Sequence, residues 1–233
     1  MTPAQLTKNY TFHPPEDYDA HISDILPFYL SFHQETINFV KSLPYRPKVW
    51  MDSGCGTASL VNKAIKEFPD TKFLLVDPSE GMLDQARKKL SSYPDERLEF
   101  LGAFSTQEFS QKLKEKPDVI TAIQCHHYLS RDGRNKATSV CYDLLKEGGV
   151  YITFENTKPL TEDGFILGKR YWSNFQLSHG RNEDEIRKLL ERFNTDIFPI
   201  TVDEHLKLLK ETGFKTVELF WYSYMQAGFY GIK

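Results

Sequence analysis

Val49-Trp-Met-Asp-Ser-Gly-Cys-Gly-Thr-Ala-Ser-Leu60 opens on a short apolar run and passes through an acid and two glycines. It then enters a segment in which Leu60, Val61, Ala64, Ile65 and Phe68 recur at helical spacing. This pattern predicts a strand, a tight turn and a helix, the arrangement that brings a ligand to a helix N-terminus. Gly54 and Gly56 suit the turn because a residue without Cβ lets the backbone bend sharply and approach a ligand closely. Glycines alone would equally serve an ordinary strand-to-helix turn, so the rest of the chain has to decide.

From residue 48 onward, strand-like and helix-like segments alternate. Strands are predicted at Val49–Asp52, Lys72–Asp77, Arg97–Leu101, Asp118–Ile123 and Gly149–Glu155, with helices near 57–68, 79–91, 105–115 and 133–146. Such alternation implies an α/β fold, a Rossmann-like, doubly wound and mostly parallel sheet. Val202–Thr212 reads as a further helix ended by Gly213. Phe214–Phe220 and Tyr222–Ile232 read as two adjacent strands, which without a crossover must pair antiparallel. Before the sheet, residues 1–16 read as an irregular arm, and Tyr18–Leu43 as one or two helices interrupted near Pro27. The expected organisation is an N-terminal helical cap over 1–47 and a Rossmann-like domain over 48–233, with a helical lid insertion at about 157–200.

Composition narrows the function classes. The chain has 233 residues, 40% hydrophobic and 26% charged, which is ordinary globular usage and long enough for one full open sheet. A formal net charge of −3 provides no general attraction to nucleic acid or an anionic membrane. Cys55, Cys125 and Cys141 are odd in number and widely spaced, so neither a disulfide framework nor a metal site is expected. The start, Met1 to Tyr10, is too polar for a signal peptide, and no apolar run has membrane-spanning length. The expected location is cytoplasmic, and a homodimer is left open.

The acids define the ligand. A dinucleotide turn would carry G-x-G-x-x-G, but the third position here is Ser59. Asp52 lies two residues before Gly54, where a carboxylate repels a pyrophosphate and favours an ammonium or sulfonium. Asp77, 21 residues beyond Gly56, is placed at the tip of the next strand to accept both hydroxyls of a ribose. A ribose, a positive charge and no phosphate together describe S-adenosyl-L-methionine.

On these residues the chain from 48 to its end resembles the class I S-adenosylmethionine-dependent methyltransferases. Asp52-Ser-Gly-Cys-Gly-Thr-Ala58 is similar to the family's D-x-G-x-G-x-G turn, with Ala58 in place of the last glycine. Asp77-Pro-Ser-Glu-Gly-Met82 resembles the ribose-binding acid and the helix whose methionine packs near adenine. Pro117 to His127 resembles the fourth-strand motif, which ends beside the transferred methyl. The resemblance implies cofactor contacts from Asp52, Gly54, Cys55, Gly56, Asp77, Pro78, Met82 and Gln124. The family often has an adenine-binding acid after the third strand; Leu101 to Ser105 holds none, so the backbones of Ala103 and Phe104 or the Ser105 hydroxyl are expected to serve.

A closer resemblance is to the carboxy-S-adenosylmethionine synthases of tRNA wobble-uridine modification, through Leu26-Pro-Phe-Tyr29, the insertion and the Trp221-containing tail. It implies a cofactor contact from Tyr29. The arginine that holds the extra carboxylate in that group falls at Leu190, with Arg192 nearby but out of register. The expected function is therefore plain methyl transfer to a small-molecule acceptor with an apolar or aromatic part. A carboxy-S-adenosylmethionine synthase-like enzyme and a non-catalytic cofactor-binding protein are the alternatives. His126 and His127 follow the fourth strand at the carboxyl-end crevice, and either is a candidate general base, His127 ahead. Aromatic residues of the insertion, with Trp221, Tyr222 and Tyr224, are candidates for the acceptor pocket.

Overall fold

A computed structural model describes Thr11 and residues 13–233, so most of the predicted N-terminal arm lies outside the described residues. Its sheet has seven strands: β1 (Val49–Ser53), β2 (Lys72–Val76), β3 (Leu98–Gly102), β4 (Val119–Ile123), β5 (Val150–Asn156), β6 (Thr216–Ser223) and β7 (Gln226–Ile232). They lie in the order β3-β2-β1-β4-β5-β7-β6. The first five pair in parallel, whereas β7 runs antiparallel between β5 and the edge strand β6. Each strand expected over residues 49–155 is present to within two residues.

Both faces of the sheet are covered, which is why its central strands are buried along nearly their whole length and mainly apolar rather than alternating. Trp50, Phe73, Ile152 and Phe154 point into one core, shared with helices α1 (Tyr18–Ile25), α2 (Tyr29–Lys41), α3 (Ser59–Glu67) and α4 (Glu80–Leu90). Met51, Leu74, Ile120 and Tyr151, one residue out of phase, point into the other, shared with α5 (Arg131–Leu144) and α8 (Val202–Thr212). The break predicted near Pro27 separates α1 from α2, with Phe28 left-handed at φ 60°. Gly213 ends α8 at φ 115°, a conformation that glycine adopts without Cβ strain.

The insertion holds α6 (Glu162–Ser178) and α7 (Glu183–Glu191). The charged run around α7 presents a solvated face, while Ile186 and Leu189, three apart, turn inward. One prediction fails. Instead of a helix over 105–115 there is a single 3₁₀ turn, Thr106–Glu108. Beyond it only Phe109 and Leu113 are apolar before Pro117, too thin a stripe to hold a helix on the sheet.

Phe154 ties the two halves of this architecture. It is fully buried, stacks on Phe32 of α2 at 4.9 Å and packs edge-on against Phe220 of β6 at 5.2 Å. Phe154→Ala should lower unfolding stability by about 3–5 kcal/mol in a denaturant titration, the usual cost of emptying an aromatic core site. A change below about 1 kcal/mol would show that the N-terminal helices are not anchored through this ring.

Candidate functional site

The carboxyl ends of β1, β2 and β4 open into a cleft of about 640 Å³, part of it open to solvent. Gly54 and Gly56 form one wall at φ +70° and +53°. A Cβ on Gly54 would lie 2.6 Å from the Cβ of Cys125, so the turn can press against the end of β4 only with glycine there. A Cβ on Gly56 would meet nothing within 4 Å. Asp77 holds this turn from the tip of β2, accepting hydrogen bonds from the Gly56 N–H at 2.8 Å and the Ser79 N–H at 2.9 Å. Burial pushes its carboxyl up to about 6, against those two donors. On the opposite wall, the Gln107 Oε1 is buried without a partner, on the same cleft as Met82 and Ser105.

A recess behind the turn is lined by Tyr29, His33, Asp52 and Cys55. Asp52 is 2% exposed and accepts a hydrogen bond from Thr121 Oγ1 at 2.7 Å. Burial pushes its carboxyl up to about 7, with the charge of Asp77 adding to the effect. The Nδ1 of His33 is buried here without a partner. Two buried carboxylates and unpartnered polar atoms describe a site built for a cation with several hydrogen-bonding groups.

A third cavity of about 480 Å³ lies beneath the cap and the insertion. Its walls include Ile22, Ile25 and Leu26 from the α1 region, Trp172 from α6 and Leu189 from α7. Tyr18 lines this cavity, the cleft and the recess; Gln124 and Tyr128 line the cavity and the cleft. Tyr18 and Tyr29 hydrogen-bond through their hydroxyls, and burial raises both phenols well above their usual range. The next residue, Asp19, fastens α1 to the core by accepting from Thr57 Oγ1 at 2.8 Å, Ser59 Oγ at 2.9 Å and Lys89 Nζ at 2.5 Å.

The two histidines are both buried and engaged by neighbouring groups. His127 is 1% exposed and lines neither the cleft nor the inner cavity. Its Nδ1 lies 2.7 Å from Glu155, which also accepts the backbone N–H groups of His126 at 3.1 Å and His127 at 2.9 Å. Burial would raise the Glu155 carboxyl, but the hydrogen bond and charge of His127, with His126 and His205 adding charge, hold it down at about 2. His126 reaches the cleft wall with both ring nitrogens engaged, by the Tyr151 hydroxyl and by Thr106 Oγ1, each at 3.1 Å. Burial lowers its pKa to about 4. Glu155 and the histidines fix the turn after β4; neither ring is presented to the inner cavity.

Of the other residues singled out from sequence, Gly54, Gly56, Asp77, Pro78, Met82 and Gln124 converge on the cleft, with Tyr29, Asp52 and Cys55 at the recess. Ala103 and Phe104 do not line the cleft; Phe104 instead packs on Phe109, 5.4 Å between centroids. Nor do Trp221, Tyr222 and Tyr224 line the inner cavity. Trp221 is a core residue against Phe32, and Tyr224 stacks on Tyr171 at 4.0 Å on the outer face. Leu190 faces an outer groove, whereas Arg192 reaches the inner wall. Tyr18, His33, Gln107 and Asn156 went unread because each is a single polar or aromatic residue outside any glycine or acid motif. In sequence Tyr18 reads only as the start of the helical segment Tyr18–Leu43.

Residues 51–151 match the family model described as a methyltransferase domain. The carboxy-S-adenosyl-L-methionine synthase of Campylobacter lari is 28% identical over 217 residues, covering 87% of this chain and 88% of that protein. Among solved structures, the magnesium protoporphyrin IX methyltransferase of Synechocystis PCC 6803, bound to SAH, matches with TM-score 0.64 and 15% identity. That match covers 91% of this chain and 86% of the other. An O-methyltransferase family protein of Burkholderia thailandensis matches with TM-score 0.63 and 17% identity over 94% of this chain, which spans 59% of that protein's length. Residues 51–151 thus carry the methyltransferase-domain pattern, on a fold similar to that of S-adenosylmethionine-dependent methyltransferases.

The residues of the cleft and recess fit S-adenosyl-L-methionine. Asp52 is a buried carboxylate with no salt bridge among the described residues, and His33 and Gln107 hold unpartnered polar atoms around the same space. A cationic ligand favours the ionised form of Asp52, so binding should release a proton below neutrality. Affinity for S-adenosylhomocysteine, which retains the ammonium, should therefore weaken as pH falls from 8 through the Asp52 titration near 7, by up to about tenfold per pH unit. In Asp52→Asn, binding should be weaker and the remaining pH dependence should move down to the Asp77 titration near 6. Calorimetry across this range checks it; an Asp52→Asn profile identical to the parent would remove Asp52 as the counter-charge.

Proposed function

We propose that this protein transfers a methyl group from S-adenosyl-L-methionine to a small-molecule acceptor held in the inner cavity. The observation that carries the reading is the junction: Tyr18, Gln124 and Tyr128 are walls of both the cofactor cleft and the inner cavity. When bound, the cofactor supplies a methyl on a sulfonium, whose positive charge is lost on transfer. What the chain contributes is placement and the exclusion of water. Asp77 would accept the ribose hydroxyls and Asp52 would face the ammonium. Gln124, left-handed at φ 56°, stands between cleft and cavity with its Nε2 donated to Gln226 Oε1 at 2.9 Å. Strain of this kind persists only where the surroundings hold it. The acceptor's own nucleophilicity, with its proton passing to water or to a cavity-wall group, replaces a dedicated histidine base in this reading.

Three free cysteines suit a reducing cytoplasm, and no helix among the described residues is long and apolar enough to cross a membrane. The acidic balance and the small size of the inner cavity favour a small molecule over nucleic acid. Exposed Phe28, Leu167, Tyr171 and Tyr222 offer a surface for a homodimer. A second reading, synthesis of carboxy-S-adenosylmethionine, draws on the Campylobacter relative and on Arg192, a cation on the inner wall. Mass spectrometry of ligand copurified with the protein separates the two, since the carboxylated cofactor is the heavier.

In place of an adenine-binding acid, Gln107 Oε1 is the acceptor that suits the adenine amino group. S-Inosylhomocysteine replaces that amino donor with a carbonyl and should bind about tenfold or more weaker than S-adenosylhomocysteine, the range expected when a buried acceptor loses its donor. Gln107→Met should bring the two affinities together. Undiminished discrimination in that variant would return the role to the backbone. Independently, Asp77→Ala should abolish measurable S-adenosylhomocysteine binding; retained affinity would remove the ribose assignment.

A further inference from the structure

The inner cavity has a chemistry of its own. Its walls are mainly aliphatic and aromatic, and among the described residues no carboxylate lines it. Trp172 contributes only apolar surface, because its indole N–H is donated to the Ile25 carbonyl at 2.6 Å. Arg192 is already engaged: its Nε lies 3.3 Å from Asp196 Oδ2 and its guanidinium stands 5.9 Å from the Tyr128 ring centroid. Asn156 differs from the rest. It ends β5, is 3% exposed, and its Oδ1 is buried without a hydrogen-bond partner. A buried amide oxygen left unpaired costs about 1–3 kcal/mol, a penalty that a ligand donor would remove.

Size limits what can enter. The inner cavity measures about 480 Å³ with its open mouth included, room for a compact molecule and not for a folded macromolecule. Helix α1 closes it on one side, held by the Asp19 bonds to Thr57, Ser59 and Lys89.

We propose that the acceptor is a compact, largely apolar molecule carrying a hydroxyl or amino donor that binds Asn156 Oδ1. The inference rests on the methyl-transfer reading for the word acceptor, but the cavity's selectivity can be measured without turnover. Asn156 is a specificity residue here: it orients the molecule by its donor while Trp172, Ile25 and Leu189 hold the apolar body. A molecule presenting only an ether or a methyl at that point leaves the amide oxygen unpaired and is discriminated against.

Phenol, anisole and toluene share one ring and differ in the group offered: a donor, an acceptor without a donor, and neither. They would be titrated calorimetrically into the full chain saturated with S-adenosylhomocysteine. Phenol is expected to bind about tenfold or more tighter than either of the others. Asn156→Leu should erase that preference while still binding toluene and S-adenosylhomocysteine, and Asn156→Asp, which keeps an acceptor oxygen, should retain it. Ile25→Trp should exclude all three probes with S-adenosylhomocysteine affinity unchanged. Equal affinities for phenol and anisole, a preference that survives Asn156→Leu, or no binding by any probe would overturn the assignment. Because S-adenosylhomocysteine affinity is followed in each variant, failure here is distinct from failure of the cofactor reading, in which the parent itself would not bind S-adenosylhomocysteine.

Discussion

The arrangement depends on two carboxylates kept where a protein does not readily keep charge. Asp52 and Asp77 are both buried, and burial raises both. Neither makes a salt bridge with a described lysine or arginine. They are retained because each holds geometry: Asp77 joins the glycine turn to the tip of β2 by two backbone donors, and Asp52 joins β1 to β4 through Thr121. The same constraint makes the site selective for charge. A phosphate would add repulsion to a place already short of cations, whereas an ammonium relieves it.

The sheet follows from the sequence because its determinants are local and repeated. Short apolar runs separated by amphipathic segments leave little choice but βαβ units, and the strand boundaries from 49 to 155 came within two residues. The glycine turn and its acids were legible for a similar reason, since spacing along the chain fixes their placement at neighbouring strand tips. The segment after β3 was not. Its polar residues look helical by propensity, yet Phe109 is the one large apolar side chain buried there, and propensity without a buried apolar face does not hold a helix.

The histidines show a different limit. His126 and His127 stand at the crevice in sequence, and so does the turn that carries them in space. Side-chain direction is set by Glu155, 28 residues beyond His127, which gathers two backbone N–H groups and a ring nitrogen. No spacing rule reports which way such a turn faces. Asn156 and Gln107 were missed for the complementary reason: an unpaired oxygen is a property of surroundings assembled from β5, the 3₁₀ turn after β3 and the insertion, and it has no signature in the residue itself.

The N-terminal helix joins these pieces into one device. Tyr18 touches the cleft, the recess and the inner cavity, and Asp19 beside it is held by side chains of the glycine-turn helix and of α4. Thr57 and Ser59 therefore do two things at once. They lead out of the cofactor turn, and they fasten the wall of the acceptor cavity. A shift in the turn would be transmitted through these hydroxyls to α1 and so to the placement of Tyr18, with no long-range path required. Methyl transfer needs both partners in line with water kept out. A single helix pinned to the cofactor turn, and closing the neighbouring cavity, meets both requirements with one set of contacts.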